Sequence, residues 1–312
     1  MKKNMSNYLY ILFIILITII VLKENVVVIA SVKLSFEIWQ NNIFPSLFPS
    51  LIIGNILINS GFPEVLGELL KNISNTLFKT NINSSSIIVL SMISGCPSSA
   101  YYIKELLNNN MIDEYDATKL LTFTHFSNPL FILGTITTFI GDKKLGIPIL
   151  ISHYIGNFII GLLLRNYNKK EKDISKISLK NIKFNNYKFS TILSNSIKNA
   201  LNTIILILGS ITVFLIITSL INNIFNINSN YKPIINGIFE MTQGLKYLEY
   251  TSFSSNIKAL IAIAIISFGG LSIHMQIITI ISDTKIKYFP YLLSRILHMI
   301  ISTIIFLIWK VL

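Results

Sequence analysis

Long apolar runs separated by short polar stretches dominate the chain. Four of these runs approach or reach the roughly 20 residues that a helix needs to cross a bilayer, and each predicts a membrane-spanning helix. They cover residues 8–22, 145–164, 201–221 and 288–308. No small-residue cleavage site follows the first run, so residues 1–30 are predicted to be a retained span and not a signal peptide.

Shorter apolar segments lie between these runs. Two closely spaced prolines, Pro45 and Pro49, predict the end of one helix and the start of the next. Residues 48–62 are predicted to form a crossing, although they are short for a straight one. Residues 63–80 carry apolar side chains at helical spacing with polar ones between them, which is typical of an amphipathic helix at the membrane interface. Residues 117–140 are predicted to form one further crossing.

Two apolar segments are interrupted by small and polar residues. The first, residues 87–107, contains the sequence SGCPSS, and the second, residues 258–281, contains GGLS. Such breaks persist in a bilayer only where protein, water or a ligand satisfies the freed backbone groups. Because both breaks follow a polar patch and an apolar run and precede a mixed helix and another span, they predict a transporter built from two repeats.

Composition places the protein in the membrane. Of its 312 residues, 52% are hydrophobic and 13% are charged, whereas a soluble domain carries about 25% charged residues. Cys96 is the only cysteine, which excludes an intrachain disulfide and a thiolate metal cluster. The four histidines are scattered, and no nucleotide-binding loop, zinc-protease motif or hydrolase elbow occurs. We therefore predict no enzyme activity, no cofactor and no metal.

The topology follows from the lysine-rich residues 166–188. The positive-inside rule places such a short basic loop in the cytoplasm and argues against nucleic-acid binding. If residues 87–107 form a re-entrant hairpin, four crossings separate the loop from a cytoplasmic N-terminus, and the two repeats are inverted. The predicted fold class is an all-α integral membrane protein with multi-pass helices, two broken or re-entrant segments and inverted repeats. Its predicted parts are residues 1–30 (first span), 38–165 (first repeat with a connecting span), 166–188 (basic linker) and 189–312 (second repeat).

The two breaks supply the first candidate site residues. A half-helix that starts near Pro97 directs free N–H groups and its positive dipole end at a polar or anionic solute. The second break offers the same chemistry, although a packed kink would also explain each break. Ser127 and Asn128 lie beside Pro129, where a pore-facing polar patch and a packed kink are equal alternatives.

Two ionisable residues in apolar surroundings complete the candidates. Glu240, in a stretch bracketed by glycines, would couple a proton or sodium ion, and Arg295 would grip a solute carboxylate with its planar guanidinium. The alternative is that they pair with each other or reach an interface. The predicted substrate-binding residues are Ser94, Gly95, Cys96, Pro97, Ser98, Ser99, Ser127, Asn128, Glu240, Thr242, Gly269, Gly270, Ser272 and Arg295.

Several motifs together resemble one known family. They are FPSLFP at 44–49, SGCP at 94–97, FTHFSNPLF at 123–131, SHY at 152–154 and the stretch 237–244 with Glu240 and Thr242. These resemble the YlbJ family of sporulation integral membrane proteins, which carries the nucleoside-recognition or Gate domain. The resemblance covers about residues 38–165 and 201–300. Cys96 stands where the family usually has phenylalanine, and Ser98 and Ser99 replace a common alanine-glycine pair.

The resemblance implies a role in endospore formation, with dipicolinate moved across the outer forespore membrane. Together with the residues, it predicts a membrane transporter of a small polar or anionic solute, probed most directly by dipicolinate uptake into liposomes. The alternatives are a nucleoside-type transporter and a non-transporting scaffold for spore envelope assembly. The expected partners are the solute and the lipid bilayer, with no nucleic acid; a homo-oligomer is compatible with this interpretation.

Overall fold

The computed structural model describes residues 2–167, 188–225 and 227–311, which contain helices and connecting turns but no strand. The all-α prediction is therefore confirmed. The α-helices are α1 (Lys2–Lys23), α2 (Asn25–Ile38), α3 (Phe44–Asn59), α4 (Phe62–Asn72), α5 (Ser84–Ser94), α6 (Ser98–Asn108), α7 (Glu114–Phe123), α8 (Thr137–Ile140), α9 (Gly146–Leu163), α10 (Phe189–Phe225), α11 (Lys232–Phe239), α12 (Met241–Tyr247), α13 (Ser255–Phe268), α14 (Gly270–Ile281) and α15 (Tyr288–Val311).

Five helical stretches of the described chain are long and apolar enough to cross a membrane. They are Asn25–Asn59, Lys143–Leu163, Phe189–Phe225, Ser255–Ile281 and Tyr288–Lys310. The protein is thus a multi-pass integral membrane protein. The 37 residues of α10 span about 55 Å at 1.5 Å per residue, so this helix is much longer than the bilayer core is thick.

Two boundaries differ from the sequence-based expectation. The prolines Pro45 and Pro49 do not end a helix, because a π-helical turn at Trp39–Ile43 joins α2 to α3 in one helical stretch. Local π geometry of this kind lets a membrane helix accommodate proline. Residues 117–140 also do not form one continuous helix: α7 ends at Phe123, and residues 124–128 are not helical. The crossing itself stays a prediction.

The helices form two packed groups. The larger hydrophobic core joins the broken helices to α7, α9, α13 and α15, and α15 packs against α7, α9 and α13. The smaller core is formed where α10 packs along α2 and α3, with Ile38, Leu51 and Ile204 at its centre. Helix α4, followed by a π-helical turn at Ile73–Phe78, confirms a helix in the amphipathic segment.

Both predicted helix breaks are present. Gly95 ends α5 at a φ of 80°, the Cys96–Pro97 peptide bond is cis, and α6 begins at Ser98. Gly269, at a φ of 93°, separates α13 from α14. Residues 168–187, and with them most of the predicted basic linker, lie outside the described residues. The inverted relation of the repeats stays a prediction.

Candidate functional site

The two helix breaks contact the same non-helical segment, residues 124–128. At the first break, the Cys96 N–H donates to the Phe126 carbonyl at 2.7 Å. A Cβ atom on Gly95 would lie 2.8 Å from the Asn128 nitrogen, so only glycine fits there. At the second break, a Cβ on Gly269 would lie 2.9 Å from the His125 ring. Residues distant in sequence are thus joined across this segment.

Side chains of α9 satisfy the backbone of residues 124–128. His153 accepts the Ser127 N–H on its Nε2 at 3.0 Å, and Tyr154 donates its hydroxyl to the Ser127 carbonyl at 3.2 Å. Asn157 donates its Nδ2 to the His125 carbonyl at 2.6 Å. These bonds supply the partners that a bilayer cannot, and they fix the segment to α9.

Asn128 connects the first break to the helix that follows. Its Oδ1 accepts the Leu130 N–H at 2.8 Å and so caps the next helical turn, while its Nδ2 donates to the Ile93 carbonyl at 3.0 Å. The Asn128 side chain therefore has a structural role and also faces the cavity described below. The polar patch and the packed kink, which the sequence left as alternatives, are both features of this residue.

Arg295 is fully buried and is held by protein groups. Its guanidinium donates to the Asn157 Oδ1 at 3.3 Å, to the Thr122 carbonyl and to the His298 Nδ1 at 2.9 Å, and it lies over the Tyr291 ring. Because Thr122 is in the last turn of α7, the cation also stabilises the negative end of that helix dipole. Both terminal nitrogens therefore have protein partners without a solute, while the Nε has none within the described chain.

The histidines, scattered in sequence, surround Arg295 in the fold. Arginine only donates hydrogen bonds, so the His298 Nδ1 is an acceptor, and its Nε2 donates to the His153 carbonyl at 2.8 Å. His153 accepts from Ser127 on Nε2, so its Nδ1 donates to the Ser267 hydroxyl, 3.1 Å away. These partners assign a neutral ring to both histidines.

A cavity of about 50 Å³ lies beside the breaks. Its walls come from α3, the first break, residues 127–131, α10, the turn around Glu240, and α14. Six of the predicted site residues line it: Cys96, Pro97, Ser127, Asn128, Glu240 and Thr242. Two polar lining residues, Ser46 and Gln276, were not predicted. Ser46 lies in the FPSLFP motif and Gln276 in the helix that follows the GGLS break, so their proximity to those motifs is the signal that could have found them.

The other predicted residues do not line the cavity. Those that belong to the two breaks beside it are Ser94, Gly95, Ser98, Ser99, Gly269, Gly270 and Ser272. Arg295 belongs to the hydrogen-bond network of α7, α9 and α15 and forms no ion pair with Glu240 in the described structure.

Glu240 lies in a one-residue gap between α11 and α12. Its backbone is extended, and its carboxylate accepts the Gln243 N–H at 2.6 Å at the start of α12. Glycines make the turn compact: a Cβ on Gly244 would clash with the Cα of Gly237. A Cβ on Gly270 would lie 3.0 Å from the Met241 nitrogen, so this turn packs against the first residue of α14.

Four buried polar atoms at or beside the cavity have no hydrogen-bond partner within the described chain. They are the Oγ atoms of Ser98, Ser127 and Ser272 and the Oε1 of Gln276. Ser98 opens α6, and Ser272 is in the first turn of α14, so two helix N-termini lie among them. Since buried polar groups are normally paired, this cluster favours a polar solute. No metal-binding cluster of three or more His, Cys, Asp or Glu residues occurs in the described ranges.

The fold and the site together define a class: a multi-pass α-helical membrane protein in which broken helices from both halves of the chain line a largely apolar cavity with a few polar side chains. The chain is 28% identical over 313 aligned residues to the sporulation integral membrane protein YlbJ of Bacillus subtilis (strain 168), and the match covers 89% of this chain and 76% of that protein. This similarity supports the YlbJ family that the motifs predicted.

This relationship supports a membrane role in sporulation. No protein-family model matches the chain, and no solved structure matches it. Assignment of a Gate domain therefore stays a prediction.

Proposed function

We propose that the protein transports a small anionic solute during endospore formation, and that the solute is dipicolinate crossing the outer forespore membrane. The observation that carries the proposal is the buried cavity between broken helices, with unpaired polar atoms at the start of α6 and α14. Transporters place their solutes at such discontinuous helices. The sporulation setting comes from the similarity to YlbJ.

The chemistry of the cavity suits a carboxylate. Helix N-termini present N–H groups without intrahelical acceptors and carry partial positive charge, so they favour anions. The Ser127 hydroxyl, which has no protein acceptor or donor, would add a hydrogen bond. A planar dicarboxylate has two anionic ends, and the structure offers two helix N-termini.

The cavity is small in this structure. One water requires roughly 10–15 Å³ of such a cavity, so about 50 Å³ accommodates only a few water molecules. A dicarboxylate on an aromatic ring is larger than this. Transport therefore needs a second conformation in which the walls move apart, as alternating access requires.

Uptake of labelled dipicolinate by liposomes containing the purified protein tests the proposal. We expect saturable uptake that excess unlabelled dipicolinate suppresses and a nucleoside mixture does not. Ser127→Ala should weaken the apparent affinity about fivefold, as expected for one lost hydrogen bond of ~1 kcal/mol. Thr279→Ala, on the exposed face of α14, is the control and should transport normally.

The rival functions give different results. Uptake of a nucleoside without uptake of dipicolinate would favour a nucleoside-type transporter. Absence of any uptake, combined with normal spore dipicolinate in cells that carry Ser127→Ala and Gln276→Leu together, would favour the scaffold.

A further inference from the structure

The charge balance of the cavity identifies a second ligand. Glu240 is the only charged side chain among the described residues that line it, and no lysine, arginine or histidine lines it. Glu240 is buried, at 2% exposure, and has no cationic partner among the residues that the structure describes. Arg295, which the sequence offered as a possible partner of Glu240, is bonded to Thr122, Asn157 and His298 instead.

The titratable groups on the elements packed around Glu240 do not neutralise it. Helices α11 and α12 pack against α8, α10, α13 and α14. The titratable side chains on these six helices are Lys198, Lys232, Lys246, Tyr247, Lys258 and His274. None forms an ion pair with Glu240: Lys246 pairs with Glu37 at 3.3 Å, and Lys232 lies over the Tyr247 ring. Cys96 is the remaining titratable group on the cavity wall.

A second negative charge in this cavity would be strongly disfavoured. Like charges in a water-poor site repel, and the group that can bind a proton does so. Binding of an anionic solute therefore favours protonation of Glu240, and by thermodynamic linkage protonation favours the solute to the same extent. The Oε1 of Gln276, an unpaired acceptor on the same cavity wall, is available to a carboxylic acid O–H.

We propose that Glu240 binds a proton whenever the anionic solute binds and releases it when the solute leaves, so that solute and proton cross the membrane together. The proton comes from the aqueous phase on the side of solute entry and returns to water on the other side, and no bond other than the carboxylic O–H forms or breaks. The inference rests on the proposed function, since it requires an anionic solute.

Liposome uptake of dipicolinate with a pH gradient as the only variable tests the coupling. The external pH is fixed near neutrality, so that the ionisation of the external solute is constant, and the internal pH is raised. Each coupled proton should increase accumulation by up to about tenfold for a tenfold proton gradient. Glu240→Gln should abolish this increase while retaining exchange of internal for external dipicolinate, because glutamine resembles the protonated acid. Glu249→Gln, an exposed carboxylate of the same half, should behave like the wild type.

A measurement on the wild-type protein guards against misfolding of the variant. Dipicolinate binding in detergent, titrated calorimetrically in two buffers of different ionisation enthalpy, should show uptake of about one proton for each bound solute, as a single shared site requires. Uptake driven by sodium and indifferent to the pH gradient would overturn the inference, as would binding without proton uptake. Neither result affects the proposed transport function, which only absence of dipicolinate binding and uptake would contradict.

Discussion

The helix gap at residues 124–128 and the gap at Glu240 both interrupt helical hydrogen bonding, but their backbone groups find different partners. The first gap is five residues long, and its backbone depends on side chains of α9 and on the carbonyl of Phe126 bonding to the first break. The second gap is one residue long, and its backbone bonds are local. The Glu240 N–H donates to the Asn236 carbonyl at 2.7 Å, and the Glu240 carbonyl accepts from the Gly244 N–H at 3.1 Å.

This difference assigns different mechanical roles to the two gaps. A segment bonded to several distant helices moves only when those helices move, so residues 124–128 form a fixed wall of the cavity. A turn whose backbone bonds are all local can shift as a unit at little cost in hydrogen bonding. We therefore expect the opening of the cavity to involve α11, Glu240 and α12 more than the first gap.

The largest effect is expected from Arg295→Gln, which removes the support of the fixed wall. The variant leaves the Thr122 carbonyl without its charged donor, and bonds to charged groups contribute about 1.5–3 kcal/mol each. The free energy of unfolding should fall by at least ~3 kcal/mol, measured by thermal unfolding in detergent. Arg165→Gln, which removes an exposed arginine bonded to the Thr76 carbonyl, should cost far less.

Arg295→Gln also decides between two roles for this residue. Normal unfolding together with a selective loss of dipicolinate binding would make Arg295 a solute-binding residue, as the sequence suggested, and would contradict the supporting role inferred from its contacts.

The next largest effect is expected from Gly244→Ala, which alters the local turn. The added methyl would lie 2.8 Å from the Pro233 carbonyl and overlap Gly237, and overpacking of this kind costs about 1–3 kcal/mol. Dipicolinate uptake should fall at least ~10-fold, the factor that 1.4 kcal/mol represents. Gly209→Ala, in α10 with open space around it, should unfold at the same or a higher temperature. Wild-type uptake by Gly244→Ala would show that the glycine contact is dispensable.

A smaller effect is expected from Gly269→Ala, which probes the contact between the second break and the fixed wall. Gly269 and Gly141 both have left-handed φ angles, 93° and 79°, and each alanine should cost about 1–2 kcal/mol of backbone strain. Only the residue-269 methyl would also press on the His125 ring, since Gly141 has open space. Gly269→Ala should therefore destabilise more than Gly141→Ala in matched unfolding experiments. Equal losses would mean that the ring moves aside freely.

The smallest effect is expected from Asp283→Asn. Asp283 is exposed and pairs with Lys104 at 2.7 Å, linking the end of α14 to α6. The Lys104 hydrogen bond lowers the pKa of the Asp283 carboxyl, so its contribution is present above the unfolded-state pKa and is lost as pH falls through the folded-state pKa. Unfolding temperatures of variant and wild type should differ slightly at neutral pH and converge only as the pH falls below 3.8, the ordinary pKa of this carboxyl. A large difference at neutral pH would show that this surface pair couples the two halves.

The sequence predicted what depends on local pattern. The all-α fold, both breaks and the spans around residues 145–164, 201–221 and 288–308 follow from apolar runs and from glycine or proline within them. The pattern predicts one crossing through residues 124–128, because Asn128-Pro129 also fits a kinked helix. The side chains that bond the backbone of this gap lie on α9. The hydrogen-bond partners of Arg295 could not be predicted for the same reason, since Thr122, Asn157 and His298 come from three helices.

The single cysteine, Cys96, provides a native labelling site for following the opening of the cavity. It is the only cysteine in the chain, and it lines the cavity with 8% of its surface exposed. A membrane-impermeant maleimide applied to one face of the membrane should therefore react faster when the cavity opens further to that face. The native sequence thus allows side-specific labelling, with no engineered cysteine, to follow each opening as solute is added.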